Sequence, residues 1–154
     1  MEQAEREELI RRMWEWGGAM EGCERRRHEI NRLLRQAGDA ENILRAQVVT
    51  GMPRSGRVGD PTVQAVQMRD EALRRVRTLT EEINAIMESK AAMDAAVGAL
   101  PDNLQRLLWM RYVRGWTLTV KIPQALYISA ATAKRWHDRA LENVSSYEPT
   151  FGVG

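Results

Sequence analysis

The sequence has a single cysteine, Cys23, and two histidines, so it excludes an internal disulfide and a metal cluster built on cysteine. It also lacks any long apolar run, which argues against a membrane-spanning helix. Its first residues, Met1–Arg6, are unlike a secretory signal peptide. We therefore expect a cytoplasmic protein with no membrane contact and no cofactor.

Aromatic residues make up only 6 % of the chain, although five of them are tryptophans. The net charge is also small, at +2, but it is unevenly distributed. Residues 1–100 hold 16 lysines and arginines against 17 acidic residues, whereas residues 101–145 hold seven against three. The positive excess near the C-terminus favours a polyanionic partner for that segment.

The first hundred residues are predicted to be helical, because apolar residues recur at spacings of four and three. We predict helices at about 2–48 and 61–97, joined by a loop at 50–60 and folded back as an antiparallel hairpin. A bend is expected at Gly38-Asp39. Residues 1–98 would then serve oligomerisation or partner binding. The first series is apolar apart from Arg27 and comprises Leu9, Met13, Trp16, Met20, Cys23, Arg27, Ile30, Leu34, Ala37, Leu44 and Val48. The second comprises Val66, Leu73, Val76, Thr80, Ile83, Met87 and Val97, and is widened by Leu79, Ile86 and Met93.

The connecting loop has three glycines and two prolines in residues 50–61, which cannot sustain a helix. It lacks the spacing of a phosphate-binding loop, so a plain connection is the favoured interpretation. Arg54 and Arg57 leave open a contact with nucleic acid or a protein. Asp60 and Pro61 are typical of a helix start.

Residues 99–145 carry the pattern with the clearest chemistry. A helix is predicted from Pro101 to about Arg114, where Gly115 ends it in the left-handed conformation. Residues 117–144 then predict a short helix, a tight turn and a second helix that Ser129 caps, which is the layout of a helix-turn-helix. The residues predicted to form the core of this domain are Ile122, Leu126, Ile128, Ala133, Trp136 and Ala140.

The outward face of the second helix is predicted to bind DNA, with residues 130–144 as the recognition helix in the major groove. Small side chains in the first turn would let the backbone approach, and basic side chains would reach base edges or phosphates. The alternative is a solvated basic face on an ordinary helical bundle. The candidate DNA contacts are Ala131, Thr132, Lys134, Arg135 and Arg139.

The sequence offers little to support catalysis. His28 and His137 are isolated from any metal-ligand motif. No serine, cysteine or lysine has a visible partner that would activate it as a nucleophile. We therefore expect a protein that is not an enzyme and holds no metal. The tail at 146–154 is expected to be flexible.

The segment Leu100–Gly115, the helix-turn-helix and Arg139-Ala-Leu-Glu142 together resemble region 4 of sigma-70-type factors. The closest resemblance is to phage-encoded relatives of the RinA/ArpU type, which regulate late phage transcription. The loop Gly51-Met-Pro-Arg-Ser-Gly, followed by Asp60-Pro-Thr62, is similar to a loop of those proteins. The chain departs from the family pattern at Val120, Lys121, Pro123 and Tyr127.

The resemblance implies a (pro)phage protein that acts at the nucleoid of a bacterial host cell. Its recognition helix would bind double-stranded DNA at a promoter, and other surfaces would contact RNA polymerase. Independently of the resemblance, a two-helix hairpin of this length leaves apolar surface uncovered, so we expect a homo-oligomer held together by the hairpin. Two alternatives stay open. One is a small terminase-like DNA-packaging protein, and the other is an RNA polymerase-binding adaptor that does not touch DNA.

Overall fold

The computed structural model describes residues 1–50 and 61–149. Every regular element in these ranges is helical, which confirms the predicted all-α class. None of the described helices is both long and apolar enough to cross a membrane. The elements are α1 (Gln3–Gly17), α2 (Ala19–Thr50), α3 (Pro61–Gly98), α4 (Asp102–Leu108) with a π-helical turn (Trp109–Val113), α5 (Lys121–Leu126) and α6 (Ala130–Ser145).

The predicted first helix is interrupted at Gly17-Gly18, and not at Gly38. A Cβ atom on Gly17 would lie only 1.9 Å from the carbonyl oxygen of Tyr112, so the end of α1 approaches that backbone more closely than any side chain allows. Gly38 has nothing within 4 Å of a built Cβ and lies inside α2. A glycine that faces open space tolerates a continuous helix, whereas contact with another segment determined where this helix ends.

The described chain forms two compact units, and their boundary differs from the predicted one at residues 98 and 99. One unit comprises Met1–Met20 and Ile86–Gly154, and the other comprises Glu21–Ala85. The reason is the core of the first unit, which α1 and the end of α3 help to build. Leu9 and Met13 of α1 and Val97 of α3 are buried there together with residues from α4 and α6.

The described part of the first unit has a single buried apolar core. Its fully buried side chains include Met13, Leu104, Leu107, Leu108, Ile122 and Leu141. Burial of each such side chain contributes about 1.5–3 kcal/mol. The six predicted core residues of the C-terminal segment all belong to this core or pack against it, and Leu126, Ile128 and Trp136 are half-buried.

In the second unit α2 and α3 lie antiparallel. Ion pairs join Arg26 to Glu82, Glu29 to Arg75 and Glu41 to Arg69, so the residue numbers rise on one helix as they fall on the other. The buried cluster between the helices is small and consists of Leu33, Ala37, Ala72 and Leu79.

The predicted apolar series agrees in part with this buried cluster, since Ala37 is buried in it and Ile30 and Val76 pack against it. Leu34 and Leu73, both assigned to the series, are exposed, whereas the adjacent Leu33 and Ala72 are buried. Which of two adjacent residues is buried depends on the facing helix. Leu34 and Leu73 therefore remain on the surface of this unit.

Helix α4 widens into the π-helical turn before it ends. The amide of Arg114 donates to the carbonyl of Trp109 at 3.1 Å, and the amide of Trp116 donates to the carbonyl of Met110 at 2.9 Å. Gly115 follows at a φ of 72°, in the left-handed conformation expected for it. The turn places Tyr112 in the core and leaves Trp109 exposed.

The predicted tail at 146–154 is partly ordered in the described residues. The amide of Tyr147 donates to the carbonyl of Val144, and the Tyr147 ring packs against the core of the first unit. An aromatic side chain next to a buried valine gains from that contact, which the sequence pattern did not indicate. Residues 150–154 lie outside the described part. So do the loop residues Arg54, Arg57 and Asp60.

Candidate nucleic-acid interface

Helix α5 accommodates Pro123 without a kink. The helix begins at Lys121, so Pro123 lies in its first turn, where no amide has a partner inside the helix. The Thr117 hydroxyl accepts from the amides of Val120 and Lys121 at 3.3 and 3.2 Å and so closes the start of the helix. The proline therefore does not disturb the pair of helices.

A three-residue turn joins α5 to α6. Tyr127 ends α5 in the left-handed conformation, with φ 56° and ψ 44°, which a residue other than glycine adopts at a penalty of about 1–2 kcal/mol. Its side chain is 96 % exposed. The Ser129 hydroxyl then accepts from the amide of Thr132 at 3.1 Å and caps α6, at the position the sequence indicates.

The two sides of α6 differ sharply. One side is buried in the core through Ala133, His137, Ala140, Leu141 and Val144. Because the helical repeat is 3.6 residues, positions 131, 134, 135, 138 and 139 lie on the opposite side. That side also includes Glu142, so it carries three cations and two carboxylates, and it stays at the surface.

The structure places four of the five candidate DNA contacts, Ala131, Lys134, Arg135 and Arg139, at exposed positions of this one side. Thr132 is half-buried at its edge, and its hydroxyl is already engaged, since it accepts from Ser129 at 2.9 Å and from Arg135 at 3.0 Å. Thr132 therefore positions the Arg135 guanidinium beside the first turn of α6.

The cations of residues 101–145 share one electrostatic property. Within the part of the chain that the structure describes, none of them forms an ion pair with a carboxylate. In the α2–α3 unit four arginines, Arg26, Arg32, Arg69 and Arg75, form such pairs. Cations paired with carboxylates would be poor ligands for phosphate, and none of these is so paired in the described residues. The seven residues are Arg106, Arg111, Arg114, Lys121, Lys134, Arg135 and Arg139.

Several of these cations lie over tryptophan rings, an arrangement that the sequence did not reveal. The Arg114 guanidinium is 4.5 Å from the ring centre of Trp109 and 5.4 Å from that of Trp116. The Lys121 ammonium is 5.5 Å from the Trp116 ring. Such contacts hold a cation in place without neutralising it. The signal in the sequence was the interleaving of tryptophan with basic residues between 109 and 121.

Two anions, Asp138 and the exposed Glu142, lie on the basic side of α6, and the sequence gave no indication of the partner of Asp138. The Asp138 carboxylate accepts from the Arg6 guanidinium at 2.7 Å. Arg6 belongs to α1, which the sequence pattern assigned to a separate hairpin. Both side chains are partly exposed.

Tyr112 and His137 meet inside the core. The Tyr112 hydroxyl lies 2.7 Å from His137 Nε2, and the two rings stack at 5.8 Å. Burial raises the pKa of Tyr112 to about 12. Burial, with the nearby charge of Arg6, lowers the pKa of His137 to about 4. His137 is therefore a neutral structural residue that joins α6 to the π-helical turn.

Acid is expected to destabilise the protein through His137. Because the pKa of His137 is 6.5 in the unfolded chain and about 4 in the fold, protonation favours unfolding. The contribution of neutral His137 to the free energy of unfolding should be fully present above pH 6.5. This free energy should fall by up to about 3 kcal/mol as the pH drops towards 4. Urea unfolding of the wild type at pH 7 and pH 4.5 measures this loss.

The His137→Gln variant should show a smaller loss of stability between these two pH values than the wild type. The matched control is His28→Gln, because His28 is exposed on α2. It should keep the wild-type pH dependence. An equal loss in wild type and His137→Gln would contradict the assignment.

No group of three or more potential metal ligands occurs among the described residues. Comparison with known proteins gives no further guide: the chain matches no protein-family model, no curated protein and no solved structure.

Proposed function

We propose that this protein is a sequence-specific DNA-binding regulator of (pro)phage transcription. Helices α5 and α6 form its helix-turn-helix, and residues 130–144 are the recognition helix that enters the major groove. Lys134 and Arg135 contact base edges or adjacent phosphates, and Arg139, one turn further on, contacts phosphate. The first-turn residue Ala131 allows the helix backbone to approach the groove.

The proposal rests on one observation, which is that the cations of α6 are exposed and form no ion pair in the part of the chain that the structure describes. Lys134, Arg135 and Arg139 occupy one exposed side of a capped helix, and no carboxylate of the described chain pairs with any of the three. An unpaired lysine or arginine releases counterions when it binds phosphate, which is the main source of affinity for duplex DNA.

The phage context and the partner rest on the resemblance to sigma region 4. Residues 100–142 carry that resemblance, and the described part of the chain has the short helix, the turn and the capped second helix in the required order. The role at a promoter and the contact with RNA polymerase belong to the proposal on this ground. A protein that acts at a promoter is located at the nucleoid of the host, so this location belongs to the proposal too.

The experiment that tests the function is selection of bound fragments from a phage genome by the full chain. Enrichment of promoter-proximal fragments is the expected result. Assembly of rings on a packaging site would favour the terminase-like alternative. Binding to RNA polymerase without affinity for any duplex would favour the adaptor. Binding of all fragments in proportion to their length would contradict sequence-specific recognition.

Self-association through the α2–α3 unit belongs to the same proposal. Its buried cluster contains only two leucines and two alanines, while Leu34 and Leu73 are 47 % and 45 % exposed. An apolar pair of this kind gains stability when a second copy covers it. Sedimentation should show a dimer or larger species at micromolar concentration, which Leu34→Glu/Leu73→Glu shifts towards the monomer. A wild type that is strictly monomeric at that concentration would contradict self-association.

A further inference from the structure

Two carboxylates, Asp138 and Glu142, lie among the cations proposed to meet DNA, and Asp138 is the one that pairs with a residue of another helix. Asp138 is four residues from Lys134, three from Arg135 and adjacent to Arg139, on the same side of α6. Left alone, it would attract the Lys134 ammonium one turn away, and it would repel a phosphate that approached this side. Either effect would weaken binding to a polyanion.

The structure shows what occupies this carboxylate. Arg6 of α1 donates to Asp138 Oδ1 at 2.7 Å, and His137 Nδ1 lies 3.9 Å from the same oxygen. His137 carries no charge at neutral pH because burial lowers its pKa, so Arg6 supplies the positive charge. Lys134 and Arg139 form no ion pair with Asp138.

Arg6 is held at this place by the core. Leu9 and Met13, one and two turns further along α1, are buried against residues of the same unit, so α1 cannot swing away while the core is intact. The side chains of Arg6 and Asp138 remain 30 % and 40 % exposed, which leaves the pair at the surface of the unit.

We propose that Arg6 is a positioning residue for DNA binding: it neutralises Asp138 and so keeps Lys134 and Arg139 available for phosphate. The N-terminal helix α1 is thus a working part of the DNA-binding surface. The inference rests on the proposed function, since it names a further residue of the same site.

The proposal is tested by a charge cycle in the full chain, with binding to the selected duplex measured by fluorescence anisotropy at about 0.1 M salt. Removal of the cation in Arg6→Gln should weaken binding about fivefold, and removal of the anion in Asp138→Asn should strengthen it by a similar factor. The double variant restores neutrality at this place and should bind like the wild type. Arg12→Gln, which removes an exposed arginine from the same helix, is the matched control and should change binding less than twofold.

The outcomes separate the possible roles of the pair. If Asp138→Asn weakens binding as Arg6→Gln does and the double variant shows no recovery, the pair only braces α6 and the proposal is wrong. If Arg6→Gln and Arg12→Gln have equal effects, the charge of Arg6 is not specific and the proposal is also wrong. If the wild type binds no duplex at all, the proposed function itself fails, and thermal unfolding shows whether each variant is folded.

Discussion

Replacement of both Lys134 and Arg135 by alanine is expected to weaken binding to the selected duplex at least about 100-fold. A side chain that pairs with a base edge contributes roughly 1–3 kcal/mol, and each phosphate contact adds counterion release. The slope of log affinity against log salt should fall by about 1–2. Fluorescence anisotropy over a range of salt concentrations measures both quantities on the full chain.

Arg106→Ala is the matched control for this prediction, because it removes a cation of the same unit from the exposed side of α4. It should lower affinity less than threefold. Neither change touches the core, so the thermal transition should stay in place. An equal loss on selected and unrelated duplexes would assign Lys134 and Arg135 to phosphate contact, and no loss at all would exclude α6 from the interface.

The Gly17→Ala substitution is expected to destabilise the first unit by about 3 kcal/mol or more. The added methyl group would lie 1.9 Å from the Tyr112 carbonyl oxygen and 2.5 Å from its carbon, and a backbone cannot yield as a side chain does. The end of α1 would have to move away from the π-helical turn. Chemical unfolding followed by tryptophan fluorescence measures this loss of stability, since the Trp14 and Tyr112 rings pack edge to face with their centres 4.8 Å apart.

The chain offers a control of opposite sign. Gly38→Ala introduces the same methyl group inside α2, where nothing lies within 4 Å, and it should stabilise the protein by about 1 kcal/mol through helix propensity. A Gly17→Ala variant with wild-type stability would show that the close approach of α1 to Tyr112 is absent in solution.

Features set by neighbouring residues could be predicted from the sequence. The helical class, the cap at Ser129 and the left-handed Gly115 each depend on residues within one turn of chain. The division of α6 into a buried and an exposed side also follows from its repeat alone. For this reason the candidate contacts on α6, apart from Thr132, lie where the pattern indicated.

Features set by contacts between distant segments could not be predicted. The break at Gly17 depends on Tyr112, and the partner of Asp138 is 132 residues away in the sequence. No local pattern encodes either contact. Assignment of α1 to a hairpin followed from its apolar spacing, which is equally suited to packing on α4 and α6.

The prediction of which α2 residues are buried was wrong in part for a related reason. Leu33 and Leu34 are adjacent, and a repeat of four and three residues can be drawn through either. The structure buries Leu33 in one cluster with Ala37, Ala72 and Leu79. Which leucine is buried depends on the facing helix, so the pattern of one helix could not decide it.

Selection from a random pool of duplex DNA, carried out in parallel with the wild type and with Lys134→Ala/Arg135→Ala, tests most directly whether the basic side of α6 recognises DNA. If this side recognises DNA, the wild type enriches one defined sequence motif and the variant enriches none. A wild type that recovers the pool without enrichment, or a variant that selects the same motif with the same affinity, would contradict recognition by this side.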